Sequence, residues 1–228
     1  MSRRMVLVDI DGTLFGGMNS EVSFMLYLLR RRKLGPRQLL SACWFFLRWA
    51  PRYGRHVAKR NKAYLNGLKV TEVRALAECF VREALMPKVR PIMLQRLSMH
   101  RQAGDTVVLL SGTLQFIAEP LCRALNLDDW SATRCTEQDG VLTSRPPLAH
   151  PFGKEKLQHG AQLCRRHRLS LTKAVAYADS GYDLALLSYV ARPVAVDPDH
   201  RLERVAREQG WEIIDPQRGP RLDTALGM

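Results

Sequence analysis

No acidic residue occurs between Glu21 and Glu72, although the chain as a whole carries 22 of them. The same stretch holds Arg30, Arg31, Arg32, Lys33, Arg37, Arg48, Arg52, Arg55, Lys59, Arg60, Lys62 and Lys69. Most of the net charge of +13 over 228 residues therefore belongs to one segment. Long apolar runs are missing too: none approaches the roughly 18 to 20 residues that span a bilayer, so the chain reads as soluble or peripheral. Met5-Val6-Leu7-Val8 after Arg3-Arg4 resembles the start of an export signal, but Asp9 and Asp11 interrupt it too early. Cysteine is scarce and odd in number, at 43, 79, 122, 135 and 164, with no C-x-x-C pair. That excludes a zinc or dithiol motif and predicts reduced thiols in a cytoplasmic protein. His56, His100, His150, His159, His167 and His200 lack metal-ligand spacing and read as surface or helix-packing residues. There is no internal repeat and no low-complexity tract.

What is present is alternation. Residues 5–10 form a short Val- and Leu-rich run that stops at Asp-Gly, as a buried parallel strand does where it opens into a loop. Thr106 to Leu110 repeats this before Ser111-Gly112-Thr113, and Ala174 to Ala178 before Asp179-Ser180-Gly181; Pro193 to Val196 is a fourth run. Helical patterns follow at Gln115–Leu125, Lys154–Arg168, Tyr182–Tyr189 and Arg201–Gln209. Strands alternating with helices predict an α/β fold, a doubly wound, Rossmann-like parallel sheet with right-handed crossovers. The polar turns lie at carboxyl ends of strands, where such sheets bind ligands.

Residues 16–90 break the alternation with a long, largely helical insertion punctuated at Gly35-Pro36, Ala50-Pro51 and Pro87. They read as a helical cap domain inserted after the first strand, with 1–15 and 91–228 forming the core. Asp139-Gly140 and Pro146-Pro147 mark a short hairpin or loop, and the tail after Asp215 reads as loosely held.

Asp9-Ile10-Asp11-Gly12-Thr13, placed directly after an apolar strand, resembles the first motif of the haloacid dehalogenase superfamily, D-x-D-G-T. Three later stretches fit the same family in order: Ser111-Gly112-Thr113, the G-x-x-K of Gly153 to Lys156, and Asp179 with Asp183 in the D-x-x-x-D form. The resemblance narrows to the phosphoserine-phosphatase-like branch and runs from Met5 to about Ile214. It rests further on Phe116-Ile117, Ala132-Thr133-Arg134 and Pro193-Val194-Ala195-Val196-Asp197-Pro198. It implies a magnesium-dependent phosphomonoester hydrolase that works through an aspartyl-phosphate.

The chemistry suits the residues. A phosphate ester repels nucleophiles, so the enzyme needs an in-line carboxylate, a metal ion to neutralise charge and an acid for the leaving oxygen. The family assigns these roles to Asp9 as nucleophile and Asp11 as acid and then base. Lys156, preferred to Lys154 on spacing, neutralises the phosphoryl group. Gly12, Thr13, Ser111, Gly112 and Lys156 are implied as phosphate contacts. Asp9, Asp11 through its backbone carbonyl, Asp179 and Asp183 are implied around Mg2+. Against these roles stands the ordinary use of Asp in turns and helix caps.

Substrate does not follow so readily. Known members act on phosphoserine, histidinol phosphate or phospholipid head groups, and a small amino-alcohol phosphate is the first expectation. Related enzymes place an acid soon after motif one; here Glu21 either replaces it as an ammonium contact or merely begins a helix. The run Trp44-Phe45-Phe46-Leu47-Arg48-Trp49-Ala50-Pro51-Arg52-Tyr53 interleaves aromatics with arginines. Its commonest fate is a helix with aromatics inward and arginines in water. A peripheral contact with an anionic membrane comes second, and nucleic acid last. The alternatives to a soluble metabolite phosphatase are a lipid-phosphate phosphatase at the cytoplasmic membrane face and a catalytically inactive anion-binding module.

Overall fold

The apolar run after Arg4 becomes strand β1, Met5–Val8, with every residue buried. In the computed structural model, which describes residues 3–216, Val6 and Val8 enter one layer of core and Met5 and Leu7 the other. Burial on both faces is why the run does not alternate with polar residues. The remaining strands are β2 (Thr106–Leu114), β3 (Asp129–Thr133), β4 (Glu137–Gln138), β5 (Val141–Leu142), β6 (Val175–Ala178), β7 (Arg192–Val196) and β8 (Glu212–Ile214). Six form one parallel sheet in the order β3-β2-β1-β6-β7-β8, with Val8 paired to Leu109 on one side and Tyr177 on the other. The strand order reverses between β1 and β6, so the carboxyl ends of these two strands border the ligand crevice of a doubly wound sheet. The expected α/β fold is the one observed.

The helices are α1 (Ser20–Arg30), α2 (Pro36–Tyr53), α3 (Val57–Arg60), α4 (Val70–Phe80), α5 (Pro91–Gln102), α6 (Gln115–Ala124), α7 (Lys154–Arg166), α8 (Leu184–Leu187) and α9 (His200–Glu208). On one face of the sheet Leu163 of α7, Leu186 and Leu187 of α8 and Leu202 of α9 pack on Leu7, Leu110 and Ala176. On the other, Met93 of α5 and Phe116 and Ile117 of α6 share a core with Phe24 and Leu28 of α1 and Phe80 of α4. The first and last α-helices of the 16–90 insertion, α1 and α4, are thus bound into the main core. A separate small cluster of Phe45, Val57 and Ala63 holds α2 against α3, with Trp49 and Tyr53 packed on it.

Asp139 and Gly140 both take positive φ, 51° and 74°, the geometry of a two-residue hairpin turn between β4 and β5. The hairpin is stitched to the segment before α4: Gly67 N–H donates to Leu142 O, Leu142 N–H to Leu68 O, and Val70 N–H to Gly140 O, at 2.8–2.9 Å. Two edge strands, β3 and β8, and helix α5 are absent from the sequence reading. β3 opens on Asp129 and is only half-buried over three residues, so it presents no apolar run. β2 also runs on through Ser111-Gly112-Thr113 to pair Leu114 with Thr133, after a register shift beyond Leu110. The helix expected over 182–189 is shorter, a single 3₁₀ turn at Gly181–Asp183 leading into α8. All five thiols are unpaired. Among the described residues no helix is long and apolar enough to cross a membrane. Most of the tail beyond Asp215 lies outside the described residues.

Candidate active site

Three polar turns meet at the end of the central strands. Asp9 follows β1 directly and its backbone N–H donates to Tyr177 O at 3.0 Å, so the start of this turn is locked to β6. One oxygen each of Asp9, Asp179 and Asp183 lie within 4.8 Å of one another. Lys156, in the first turn of α7 and only 3% exposed, reaches into this group. Its Nζ lies 3.1 Å from Asp9 Oδ1 and 2.8 Å from Asp183 Oδ2. Lys154, two residues earlier, is exposed.

Burial opposes the Lys156 charge, but Asp183 and Asp9 more than compensate and hold the ammonium well above its ordinary range. The carboxylates are pushed the other way. Burial, with repulsion from Asp9 and Asp183 and against the pull of Lys156, raises Asp179 to about 8. Burial, opposed by Lys156 and aided by Asp9, raises Asp183 to about 6.

Gly12 makes this crowding possible. It has φ +81°, and a Cβ there would stand 2.0 Å from Asp179 Oδ2. Thr13 is fully buried and its hydroxyl has no partner among the described residues. Neither residue is among those lining the cavity, whereas Ser111 and Gly112 both are.

Asp11 lines the same cavity but stands outside the three-carboxylate group. Its Oδ1 accepts from Ser20 N–H at 2.6 Å, and its Oδ2 accepts from Ser20 Oγ–H and Asn19 Nδ2–H at 3.0 Å each. Asn19 also caps α1, accepting from the N–H groups of Glu21 and Val22. With the Ser20 proton given to Asp11, Thr113 Oγ–H donates to Ser20 Oγ at 2.7 Å. One hydrogen-bonded chain therefore joins the first turn, the start of α1 and the end of β2. Burial raises the Asp11 carboxyl to about 6 despite the bonds from Ser20, with Asp9 and Glu21 adding to the rise.

A cavity of about 620 Å³ opens over these groups. Val22 and Met25 of α1, Leu39 and Phe46 of α2, and Phe152 and Tyr182 form its apolar wall. Lys59 Nζ lies over both of those last rings, 4.1 Å from the Phe152 centroid and 4.4 Å from that of Tyr182. Burial lowers the Lys59 pKa, while Asp183, Asp179 and Asp9 support its charge. Glu21 also lines the cavity, but both its oxygens are engaged, one by Lys62 at 2.5 Å and the other by Tyr64 Oη–H at 3.1 Å.

His150 corrects the reading of the histidines: it is 3% exposed and lines the cavity. Thr133 Oγ–H donates to Gly112 O at 2.6 Å, so Thr133 accepts from His150 Nδ1–H at 2.8 Å. That fixes the tautomer and leaves Nε2 as a buried acceptor without a partner among the described residues. Burial, reinforced by Lys62, Arg60 and Lys59, depresses the imidazole to about 3, so it is neutral. Nothing in the spacing of the histidines signals this role; the only hint is that His150 lies just before the G-x-x-K.

Residues 6–188 match the haloacid dehalogenase-like hydrolase family. A Mycobacterium tuberculosis protein named phosphoserine phosphatase SerB1 is 33% identical over 91% of this chain and 69% of its own length. A Neisseria meningitidis protein named histidinol-phosphatase is 28% identical over 93% of this chain and 99% of its own. Among solved structures, a Bordetella pertussis protein of unknown function superposes with a TM-score of 0.80 at 26% identity, covering 95% of this chain and all of that one. A phospho-aspartyl intermediate analogue of phosphoserine phosphatase shares the fold with a TM-score of 0.61 at 15% identity, over 94% of each chain.

Proposed function

Because this chain belongs to the haloacid dehalogenase-like hydrolases, we propose that it is a magnesium-dependent phosphomonoesterase acting through an aspartyl-phosphate on Asp9. The observation that carries the reading is the buried ammonium of Lys156 held between Asp9 and Asp183, with Asp179 alongside. Three carboxylates, those of Asp9 and Asp183 buried and that of Asp179 half-buried, gather around one buried ammonium, and their donors are all oxygen. Both features suit magnesium, which takes a few carboxylates and keeps several waters. Asp9, Asp179 and Asp183 would hold it by their side chains and Asp11 by its backbone carbonyl. When bound, the ion supplies charge neutralisation of the phosphoryl oxygens.

The chain's own residues do the rest. An Asp9 oxygen attacks phosphorus as the bond to the leaving oxygen breaks, and Asp11 delivers the proton that turns this oxygen into an alcohol. A carboxyl raised to about 6 is suited to that task near neutral pH. Asp11 then takes a proton from the water that attacks the aspartyl-phosphate, releasing phosphate and restoring Asp9. Lys156, Ser111 and the Gly112 N–H bind the phosphoryl oxygens, and Gly12 and Thr13 support the turn from below. Residues 16–90 act as the cap that shields the reaction from water.

For substrate, the names of the relatives favour a small amino-alcohol phosphate, such as phosphoserine or histidinol phosphate. Glu21 receives its ammonium only by exchanging Lys62 or Tyr64. A second reading, a phosphate ester with an apolar portion such as a lipid phosphate, is favoured by the wall of Val22, Met25, Leu39 and Phe46. The test is phosphate release from a panel of both kinds plus an aryl phosphate, with magnesium or chelator, using wild type and Asp9→Asn. Magnesium-dependent release lost in Asp9→Asn is expected. Release that survives the substitution would overturn the mechanism.

A further inference from the structure

Helix α2 is apolar on the side that faces water. Leu40, Trp44 and Leu47 recur at helical spacing on one face and are 70%, 65% and 71% exposed. Leu39 and Phe46 flank them on the cavity side and are themselves 56% and 46% exposed. The helix already has a buried face, formed by Phe45 with Trp49 and Tyr53 against Val57 and Ala63. The outward stripe is thus a second apolar face with no partner among the described residues. Soluble surfaces seldom expose bulky contiguous groups in this way without an interaction to serve.

The surrounding charge says what kind. Of the cations in the acid-free segment, Lys33, Arg31, Arg60 and Lys62 are matched by Glu72, Glu83, Glu155 and Glu21 from outside it. Arg37, Arg48, Arg52 and Arg55 have no carboxylate within 4.0 Å among the described residues, and Arg37 and Arg48 border the Leu40–Trp44–Leu47 stripe. Arg48 and Arg52 lie over the rings of Trp49 and Tyr53, at 5.1 and 6.0 Å, between the buried face and the outward stripe. Two copies meeting through this face would oppose like charges. A nucleic acid would satisfy the arginines and leave Leu40 and Leu47 in water.

We infer that α2 docks peripherally on an anionic lipid bilayer, with Leu40, Trp44 and Leu47 among the upper acyl chains and Arg37, Arg48 and Arg52 on the head groups. An aliphatic centre, an indole beside it and flanking arginines are what an interfacial helix requires. Leu39 and Phe46 carry the same face to the rim of the cavity, so docking sets the cavity mouth at the lipid surface.

The test is co-sedimentation of the full chain with phosphatidylglycerol/phosphatidylcholine vesicles and with phosphatidylcholine alone, at low and at 0.5 M salt. Wild type binds the anionic vesicles at low salt, with affinity at least tenfold weaker at high salt and on neutral vesicles. The triple variant Leu40→Gln, Trp44→Gln, Leu47→Gln loses at least tenfold, and Arg37→Gln, Arg48→Gln, Arg52→Gln loses the salt dependence. Both keep wild-type turnover of a soluble aryl phosphate and a wild-type melt, which separates failure of docking from failure of the fold or the chemistry. No binding to anionic vesicles at low salt overturns the inference, as does binding that the leucine and tryptophan substitutions leave intact. Wild type sedimenting as a dimer that the Leu40/Trp44/Leu47 variant dissolves would instead make the stripe a self-interface and also overturn it.

Discussion

Replacing Gly12 with alanine separates two effects that are usually confounded. Gly12 and Gly17 have nearly the same backbone, φ +81° and +86°, but a Cβ on Gly17 meets nothing within 4 Å whereas one on Gly12 falls 2.0 Å from Asp179 Oδ2 and 2.2 Å from its Cγ. Each alanine bears the left-handed backbone cost, about 1–2 kcal/mol. In a chain of this size that lowers Tm by roughly 2–8 °C. Only Gly12→Ala also forces the Asp179 carboxylate back, by about 1 Å or more, and a shift of that size at a reacting centre is worth about 100-fold in rate. Thermal melts and magnesium titrations of aryl phosphate turnover on both variants read the two effects apart. Gly17→Ala should melt lower and turn over within about twofold of wild type. Gly12→Ala should melt at least as low, turn over about 100-fold more slowly and need more magnesium for half-saturation. If the two variants match in turnover and magnesium demand, Asp179 yields without consequence and the role given to Gly12 is wrong.

Lys156→Met leaves Asp9 and Asp183 buried without their cation, and breaking a buried pair in this way costs about 3–5 kcal/mol in denaturant melts; an unchanged midpoint would refute the pairing. His150 is held neutral, with its pKa lowered from 6.5 to about 3, so below about 6.5 the unfolded chain takes up a proton that the folded chain refuses. Stability is therefore lost as pH falls from about 6.5 towards 3, by roughly 2 kcal/mol at pH 5. His150→Asn, whose amide can still donate to Thr133, should flatten this slope, and equal slopes in the two proteins would count against the buried neutral imidazole. Asp199 accepts from Leu202 N–H at the start of α9 and from Gly181 N–H and Ser180 Oγ–H in the Asp179 turn. Asp199→Ala should cost about 1 kcal/mol in stability and raise the magnesium needed for turnover, whereas an unaltered magnesium curve would show that the turn holds itself.

Much of the candidate site was legible because its residues fall in short local patterns. Asp9, Ser111 and Asp179 each follow an apolar run, and Lys156 and Asp183 stand at short fixed distances from a glycine and from Asp179. Local pattern suffices for such positions. It fails where the partner is distant: the His150 tautomer depends on Thr133, and the fate of Glu21 depends on Lys62 and Tyr64. It fails again at β3 and β8, whose edge positions demand no continuous apolar run. For α2 the expectation of aromatics inward and arginines outward holds for Phe45, Trp49 and Tyr53 and is reversed for Trp44, with Leu47 beside it. The apolar residues of α2 fall on two sides of the helix, Phe45, Trp49 and Tyr53 on one and Leu40, Trp44 and Leu47 on the other, and periodicity alone does not say which of them the fold will cover.

The central place of β1 also shapes how the protein comes into being. Its first neighbour begins at Thr106 and its second at Val175, so the strand that leads into Asp9 leaves the ribosome long before either edge can be paired. At about 5–20 residues per second, β2 follows some 5–20 s later and β6 after roughly 8–34 s. During that interval Met5–Val8 is an unpartnered apolar strand, open to wrong pairing or to a chaperone. The turn bearing Asp9 gains Asp179 and Asp183 only when β6 inserts, so the carboxylate cluster cannot form before that strand is in place.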